Sequence, residues 1–392
     1  MTESQVATPG ASGLPCRKSD VEYIPVSTPS LSSSDADAVA SAVREGWISA
    51  EGPQVREFEA RFAHLVGKKH GIAVSNGTAA LDMALEALEI GPGDEVILPS
   101  FTIVSCLNHI LRSGATPIFV DSFPDTWNID PELVKKALTP RTKAIIVVHI
   151  YGLPADIDEL CQIGAEHGVP IVEDSAEAHG QHLHGKPLGS WGDLATFSFY
   201  SNKLITTGEG GMVLTDSDKH AARLRELRNL SFNPEQRFVH HTIGWNYRLT
   251  AIQAALGLSQ LDRIDALLRH KREIGRHYQE LLGDCAAVTL PLSEYRGSEN
   301  VYWVFGVVLP ADSPRVAQDL MARLHEKGIG TRPFFYPLHR QPVLKKFGFD
   351  SQPSLPVAEH LGKKGFYIPN GAESTPEIRE YVATTLREAL KA

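Results

Sequence analysis

Short apolar segments that alternate with helical segments are the feature that most constrains the fold of this chain. The clearest is Lys-Ala-Ile-Ile-Val-Val-His at 143–149, whose apolar residues are continuous. Continuous runs of this length are typical of strands buried on both faces of a parallel sheet. Further strands are predicted at 70–74, 95–99, 116–121, 169–174, 195–199 and 211–215, with helices between them. The pattern predicts an α/β fold whose mostly parallel sheet is covered by helices on both faces.

The pattern changes after about residue 262. The later elements are predicted as a long charged helix at 250–283, a strand at 301–309, a helix at 313–327, an extended segment at 330–335 and a final helix from Thr375-Pro376. A chain of 392 residues is long enough for about two domains. We therefore predict a large domain over 21–262 and a smaller α+β domain over 263–392. Residues 1–20, rich in Ser, Thr, Pro and Gly, are predicted to be a disordered tail without a secretory signal.

Composition narrows the classes of function. The net charge of -9 argues against binding to nucleic acid or to anionic membranes. The four cysteines show no CxxC pair and no Cys/His ligand spacing, which argues against a metal site and fits a reducing cytoplasm. Because no apolar run approaches the ~18 residues of a membrane span, no transmembrane helix is expected.

Lys203 ends the segment Ser-Phe-Tyr-Ser-Asn-Lys at 198–203, directly after a predicted strand. A glycine-rich stretch at 208–211 follows it. Taken alone, such a lysine is most often a solvated surface residue. After an apolar strand and beside small polar residues, it is the expected setting for a Schiff-base lysine, because a desolvated amine is a better nucleophile.

Two further sites complement this lysine. Asp174 ends an earlier strand, where it is either a loop cap or a partner that keeps a pyridine nitrogen protonated. Gly77-Thr78 begins a helix, and this is either a simple cap or a phosphate site built from free N–H groups and a hydroxyl. Ser198 is a second hydroxyl donor. Together these residues predict a pyridoxal phosphate (PLP) enzyme.

Other polar residues are candidates for the remainder of the site. Glu177 and His179 follow Asp174 closely enough to flank the cofactor ring. Segment 332–339, which contains Arg332, Tyr336 and His339, is either a proline-rich surface loop or a contact for a substrate phosphate or sugar.

Four motifs occur in order, at 75–81, 173–180, 202–211 and 244–249. With them the chain resembles the DegT/DnrJ/EryC1/StrS family of sugar aminotransferases over roughly residues 22–390. The resemblance implies a fold type I PLP enzyme, with a large, mostly parallel seven-stranded sheet domain and a smaller C-terminal α+β domain.

The resemblance also implies roles for single residues. Lys203 would bind the cofactor covalently, and Asp174 would pair with its pyridine nitrogen. Its phosphate would be held by Gly77, Thr78 and Ser198.

Three more roles follow from the resemblance. Asn246 would reach the phosphate from the other subunit, which requires a homodimer. Glu177 would lie near the ring hydroxyl. Many members place an aromatic residue against the ring face; here we expect Ile103 to pack there, with Phe101 as the alternative.

The implied reaction is amino transfer from glutamate to a keto group, C4 by preference, of a nucleotide-linked 4-keto-6-deoxy sugar. His179, Arg332, Tyr336 and His339 would contact this substrate. A lysine rather than a histidine at 203 separates the chain from the family's dehydratase branch. The alternatives are a 3-keto nucleotide sugar, a keto-inositol, or a PLP-binding regulatory protein without turnover.

Overall fold

The computed structural model describes residues 23–233, 235–350 and 352–391, so the predicted tail at 1–20 lies outside the described residues. Helices and strands alternate as the apolar pattern predicts. The helices are α1 (Ser33–Arg44), α2 (Pro53–Val66), α3 (Gly77–Ala87), α4 (Ser105–Arg112), α5 (Pro131–Ala137), α6 (Ile157–His167), α7 (Asp218–Arg228), α8 (Ala251–Leu261), α9 (Ile264–Leu282), α10 (Ala317–Glu326), α11 (Pro356–Lys364) and α12 (Pro376–Lys391). The strands are β1 (His70–Val74), β2 (Glu95–Pro99), β3 (Thr116–Val120), β4 (Thr142–Val148), β5 (Ile171–Asp174), β6 (His182–Leu183), β7 (Lys186–Pro187), β8 (Leu194–Ser198), β9 (Gly211–Thr215), β10 (Glu294–Tyr295), β11 (Ser298–Glu299), β12 (Phe305–Val308), β13 (Arg332–Pro333) and β14 (Gly365–Ile368).

Seven strands form the main sheet, in the order β1-β9-β8-β5-β4-β2-β3. The neighbours from β8 through β3 are parallel, whereas β9 is antiparallel to both β1 and β8. This confirms the predicted α/β fold with a mostly parallel seven-stranded sheet.

The register of this sheet brings the predicted site residues to one edge. Val74 at the end of β1 and Ser198 at the end of β8 both pair with Gly211. The neighbouring strand β5 runs parallel to β8 and ends at Asp174. Ligands of open α/β sheets bind at the carboxyl ends of the strands. Gly77, Asp174 and Lys203, which lie at or just after the ends of β1, β5 and β8, are therefore at the same edge of the sheet.

A second, three-stranded antiparallel sheet has the order β12-β14-β13 and lies in the C-terminal part of the chain. Its apolar side packs with α9, α10 and α12 into a separate core. Another core cluster joins both parts of the chain, since it contains Phe101 and Val148 together with Phe334 and Leu361. The domain boundary at residue 262 stays a prediction.

Two predicted elements are corrected by the structure. The helix expected over 250–283 is two helices, α8 and α9, because Arg263 leaves helical geometry and its guanidinium binds Asp35 and the Ser30 carbonyl. The strand expected over 301–309 is confined to β12. Tyr302 has a left-handed φ of 51°, which interrupts the extended backbone, so the strand starts only at Phe305.

Within these described ranges, none of the helices combines the length and the apolar content that crossing a bilayer requires. The same residues contain no cluster of three or more His, Cys, Asp or Glu side chains that could hold a metal ion. Cys106, Cys161 and Cys285 are free thiols.

Candidate active site

Lys203 lies in the turn that follows β8, and its backbone N–H donates to the Tyr200 carbonyl at 2.9 Å. Its side chain is only 10% exposed, and Nζ is 3.9 Å from Glu177 Oε1. Burial lowers the pKa of Lys203, while the carboxylates of Glu177 and Asp174 oppose this shift. The result is an amine that gives up its proton more readily than a surface lysine does.

Asp174 is buried at the carboxyl end of β5. Its Oδ1 accepts a hydrogen bond from Ala176 N at 3.1 Å, and its Oδ2 lies 3.6 Å from the Cys106 thiol. Burial raises the pKa of Asp174, and the Ala176 N–H and the charge of Lys203 counteract that rise. A carboxylate held in this way is suited to stabilising a nearby positive charge.

Glu177 is the second buried carboxyl group at the site. Its Oε2 accepts a hydrogen bond from Tyr151 N at 2.8 Å. Burial raises the pKa of Glu177 to about 7, although Lys203 acts in the opposite direction. Near neutral pH this group can therefore either donate or accept a hydrogen bond.

Hydroxyl and amide donors gather at the start of α3. Asn76 caps this helix by accepting from Ala79 N, so the helix begins with Gly77 and Thr78. The Thr78 and Ser105 hydroxyls are 2.8 Å apart. Ser198 packs so closely against Gly77 that a Cβ added at residue 77 would lie 2.7 Å from Ser198 Cβ. Amide and hydroxyl donors at a helix N-terminus suit a phosphate group.

The arrangement fits PLP on chemical grounds. The cofactor needs an amine for its aldehyde, a carboxylate for its pyridine nitrogen and donors for its phosphate. Lys203, Asp174 and the Gly77–Thr78 turn offer an amine, a carboxylate and donors of these kinds at one sheet edge and could hold the cofactor.

Gly77→Ala tests the phosphate turn. The added methyl group meets Ser198 and must displace the start of α3. Because overpacking of this kind costs about 1–3 kcal/mol, we expect PLP affinity to fall about tenfold to a hundredfold. The measurement is titration of cofactor-free protein with PLP. Gly91→Ala is the matched control, since a Cβ there meets nothing within 4 Å; equal losses in both variants would contradict the assignment.

Ile103 and Phe101, the two candidates for the ring face, differ in their exposure. Ile103 is 44% exposed, whereas Phe101 is fully buried among Tyr151, Phe334 and Phe335. The structure leaves Ile103, and not Phe101, at the surface of the chain. This favours the prediction for Ile103.

Asn246 is exposed, and its backbone forms an isolated bridge with Asn229. Phe238 and Ile243, in the same segment between α7 and α8, are also exposed, at 79% and 80%. This position leaves the Asn246 amide open to contact with a second subunit.

The four predicted substrate contacts separate into two pairs. Arg332 and Tyr336 are exposed. His179 is buried among Phe rings, where burial lowers its pKa to about 3. His339 is buried as well, with Nδ1 2.6 Å from Ser100 Oγ and Nε2 3.1 Å from Glu359 Oε1. Burial thus separates the two histidines from the two exposed residues, and substrate contact by all four stays a prediction.

The structure adds residues that the sequence pattern did not indicate. Cys106 lies beside Asp174, and Tyr151 supports Glu177 through its backbone N–H. Trp303 places its ring centroid 3.6 Å from Lys203 Nζ. All three are far in sequence from the site residues that they contact. Only Tyr151 had a local signal in the sequence, because the glycine that follows it permits the left-handed turn that the structure shows.

Comparison with known proteins agrees with this geometry. The model of the DegT/DnrJ/EryC1/StrS aminotransferase family matches residues 29–387. The chain is 40% identical over 373 residues to a GDP-perosamine synthase of Caulobacter vibrioides, covering 95% of this chain and 100% of that protein. It is 37% identical over 351 residues to a GDP-perosamine synthase of Vibrio cholerae, covering 88% and 94%.

Solved structures show the same fold. The aminotransferase TlmJ from Streptoalloteichus hindustanus is 31% identical, with a TM-score of 0.87 and coverage of 94% of this chain and 99% of that one. The putative sugar aminotransferase Spr1654 from Streptococcus pneumoniae, in its PMP form, is 27% identical, with a TM-score of 0.88 and coverage of 94% and 98%. The chain therefore belongs to the DegT/DnrJ/EryC1/StrS family and is a PLP-dependent aminotransferase.

Proposed function

We propose that this chain transfers an amino group from glutamate to the C4 keto group of a nucleotide-linked 4-keto-6-deoxy sugar, with GDP-perosamine as the product. The observation that carries the proposal is the buried Lys203 amine beside Glu177, in a chain that aligns along 95% of its length with a GDP-perosamine synthase. A lysine at this position favours amino transfer because it can both bond to the cofactor and move a proton.

Binding of the cofactor follows from the donors at the sheet edge. Gly77 and Thr78 would hold the phosphate with their N–H groups, and the Thr78 and Ser198 hydroxyls would add two donors. When bound, PLP supplies an aldehyde that carries the amino group and a ring that accepts electrons from the reacting carbon.

The remaining residues would orient and tune the ring. Asp174 would keep the proton on the pyridine nitrogen, because a buried carboxylate favours the positive form of its partner. Glu177 would bind the ring hydroxyl, and Ile103 would pack on the ring face. Lys203 Nζ would take the proton from the amine-bearing carbon of glutamate and later deliver one to C4 of the sugar.

The nucleotide sugar would be held by the exposed part of segment 332–339. Arg332 suits bidentate contact with a diphosphate, and Tyr336 offers a hydroxyl and an aromatic face. We assign His179 and His339 to the support of the site, since both are buried.

We also propose that the enzyme is a homodimer and acts in the cytoplasm. The exposed Asn246, in the same segment as the exposed apolar residues Phe238 and Ile243, favours a subunit contact in which this amide reaches the partner's phosphate site. The free thiols of Cys106, Cys161 and Cys285 favour a reducing compartment.

A panel of keto compounds tests the substrate. The purified enzyme is incubated with PLP, glutamate and GDP- or TDP-linked 4-keto and 3-keto sugars or a keto-inositol, and products are identified by mass spectrometry. We expect an amino sugar only from the GDP-linked 4-keto-6-deoxy sugar. A product from a 3-keto sugar or from the inositol would replace the proposed substrate, and no product from any member would favour a regulatory protein.

A further inference from the structure

Trp303 makes two contacts with the loop that carries Lys203. Its indole ring lies under the ammonium group, with 3.6 Å between Nζ and the ring centroid. Its Nε1 donates a hydrogen bond to the Asn202 carbonyl at 2.9 Å. The indole is therefore bonded to the backbone of the residue next to the lysine and faces the amine itself.

The backbone on both sides of this indole is held firmly. Trp303 N donates to the Tyr151 carbonyl at 3.1 Å, and the Trp303 carbonyl accepts from Lys271 Nζ at 3.1 Å. The preceding Tyr302 has a left-handed φ of 51°, and its N–H donates to Asn300 Oδ1 at 2.7 Å. A ring fixed in this way can define a position for a flexible side chain.

We propose that Trp303 is a positioning residue of the active site, whose indole face holds the amino group of Lys203 whenever that group is not bonded to the cofactor. During amino transfer the lysine must leave the cofactor and later return. A defined resting position beside Glu177 keeps the free amine within the site. The inference rests on the proposed role of Lys203 but not on the identity of the sugar.

The contact also affects protonation. The charged or titratable groups that face Lys203 are Glu177 and Asp174, whose charges raise its pKa, and His179, which is neutral because of its burial. The face of an indole ring attracts a cation, so it stabilises the ammonium form in the same direction as the carboxylates. Removal of the ring should lower the pKa of Lys203 further, so the amine becomes reactive at a lower pH.

The rate at which cofactor-free protein captures PLP measures this effect without any sugar or amino donor. The neutral amine adds to the aldehyde, a C=N bond forms and water leaves, so the rate rises with pH as Lys203 loses its proton. For Trp303→Leu we expect the midpoint of this pH profile to move down by about half to one unit. Trp303→Phe, which keeps an aromatic face and loses the N–H group, should stay close to the wild-type midpoint.

Trp191→Leu is the matched control, because it removes a similar contact between an indole and Lys186, 4.2 Å apart, outside the site. Its midpoint should equal that of the wild type. An unchanged midpoint in folded Trp303→Leu would overturn the inference. This outcome is distinct from failure of the proposed function, in which the sugar panel gives no product while the capture profiles remain as expected.

A second measurement avoids changing Trp303. In the cofactor-free wild type, tryptophan fluorescence should titrate with the same midpoint as PLP capture, because the nearby ammonium group perturbs the indole. Lys203→Gln should lack this transition. The same transition in both proteins would overturn the inference even if Trp303→Leu does not fold.

Discussion

Lys203→Ala is expected to lower the rate of amino transfer by at least about a thousandfold, with the fold preserved. The variant loses both the covalent bond to the cofactor and the group that moves the proton, and a positioned general base alone contributes about 10²–10⁴-fold. Lys203 Nζ contacts a carboxylate 3.9 Å away and an aromatic ring, and neither contact is a short ion pair. Loss of the side chain should therefore leave the fold intact. The measurement is the initial rate of amino sugar formation by mass spectrometry.

Lys68→Ala is the matched control. Lys68 is also buried, and its Nζ donates to the Gly192 carbonyl at 2.8 Å, away from the residues of the site. Assayed well below its unfolding temperature, this variant should keep most of its activity. Equal losses in both variants would mean that the effect at Lys203 comes from lost stability and not from lost chemistry.

Asp174→Asn is expected to lower the rate of amino transfer by about a hundredfold or more. The amide keeps the shape of the side chain but carries no negative charge, so the pyridine nitrogen loses the partner that favours its protonated form. Losses of about 10²–10³-fold are typical when one preorganised electrostatic contact is removed. The measurements are the initial rate and the absorption spectrum of the bound cofactor, which should also change.

The control for this substitution is Asp193→Asn. Asp193 Oδ2 accepts a hydrogen bond from Ile171 N, at the opposite end of the strand that carries Asp174. This change removes a carboxylate that binds the far end of β5 and does not touch the site, so the rate should stay near that of the wild type. An unchanged rate in Asp174→Asn would contradict the role of Asp174.

The fold was predictable wherever local pattern and tertiary structure agree. The continuous apolar run in β4 predicted a strand buried on both faces, and it lies near the centre of the sheet. The two failures occurred where distant contacts override the local pattern. Arg263 interrupts a helical sequence because it binds Asp35, and Tyr302 leaves an apolar strand pattern because Asn300 holds it in left-handed geometry.

The sequence likewise predicted the site residues at strand ends and helix starts, but not those that other segments bring to the site. Asp174, Lys203 and Gly77 lie at strand ends or a helix start, and sheet topology alone brings such positions together. Trp303 belongs to a segment about one hundred residues later than Lys203, and no periodicity links the two. The sequence did not predict the burial of His179 and His339 either, because the rings and hydrogen-bond partners that enclose them come from other elements.

Borohydride reduction followed by peptide mapping tests the central claim most directly. Reduction of the PLP-loaded enzyme converts the C=N bond between lysine and cofactor into a stable linkage. The account predicts that one peptide, the one that contains Lys203, carries the reduced cofactor, and that Lys203→Ala carries none. A label on another lysine of the wild type, or a label that persists in Lys203→Ala, would contradict it.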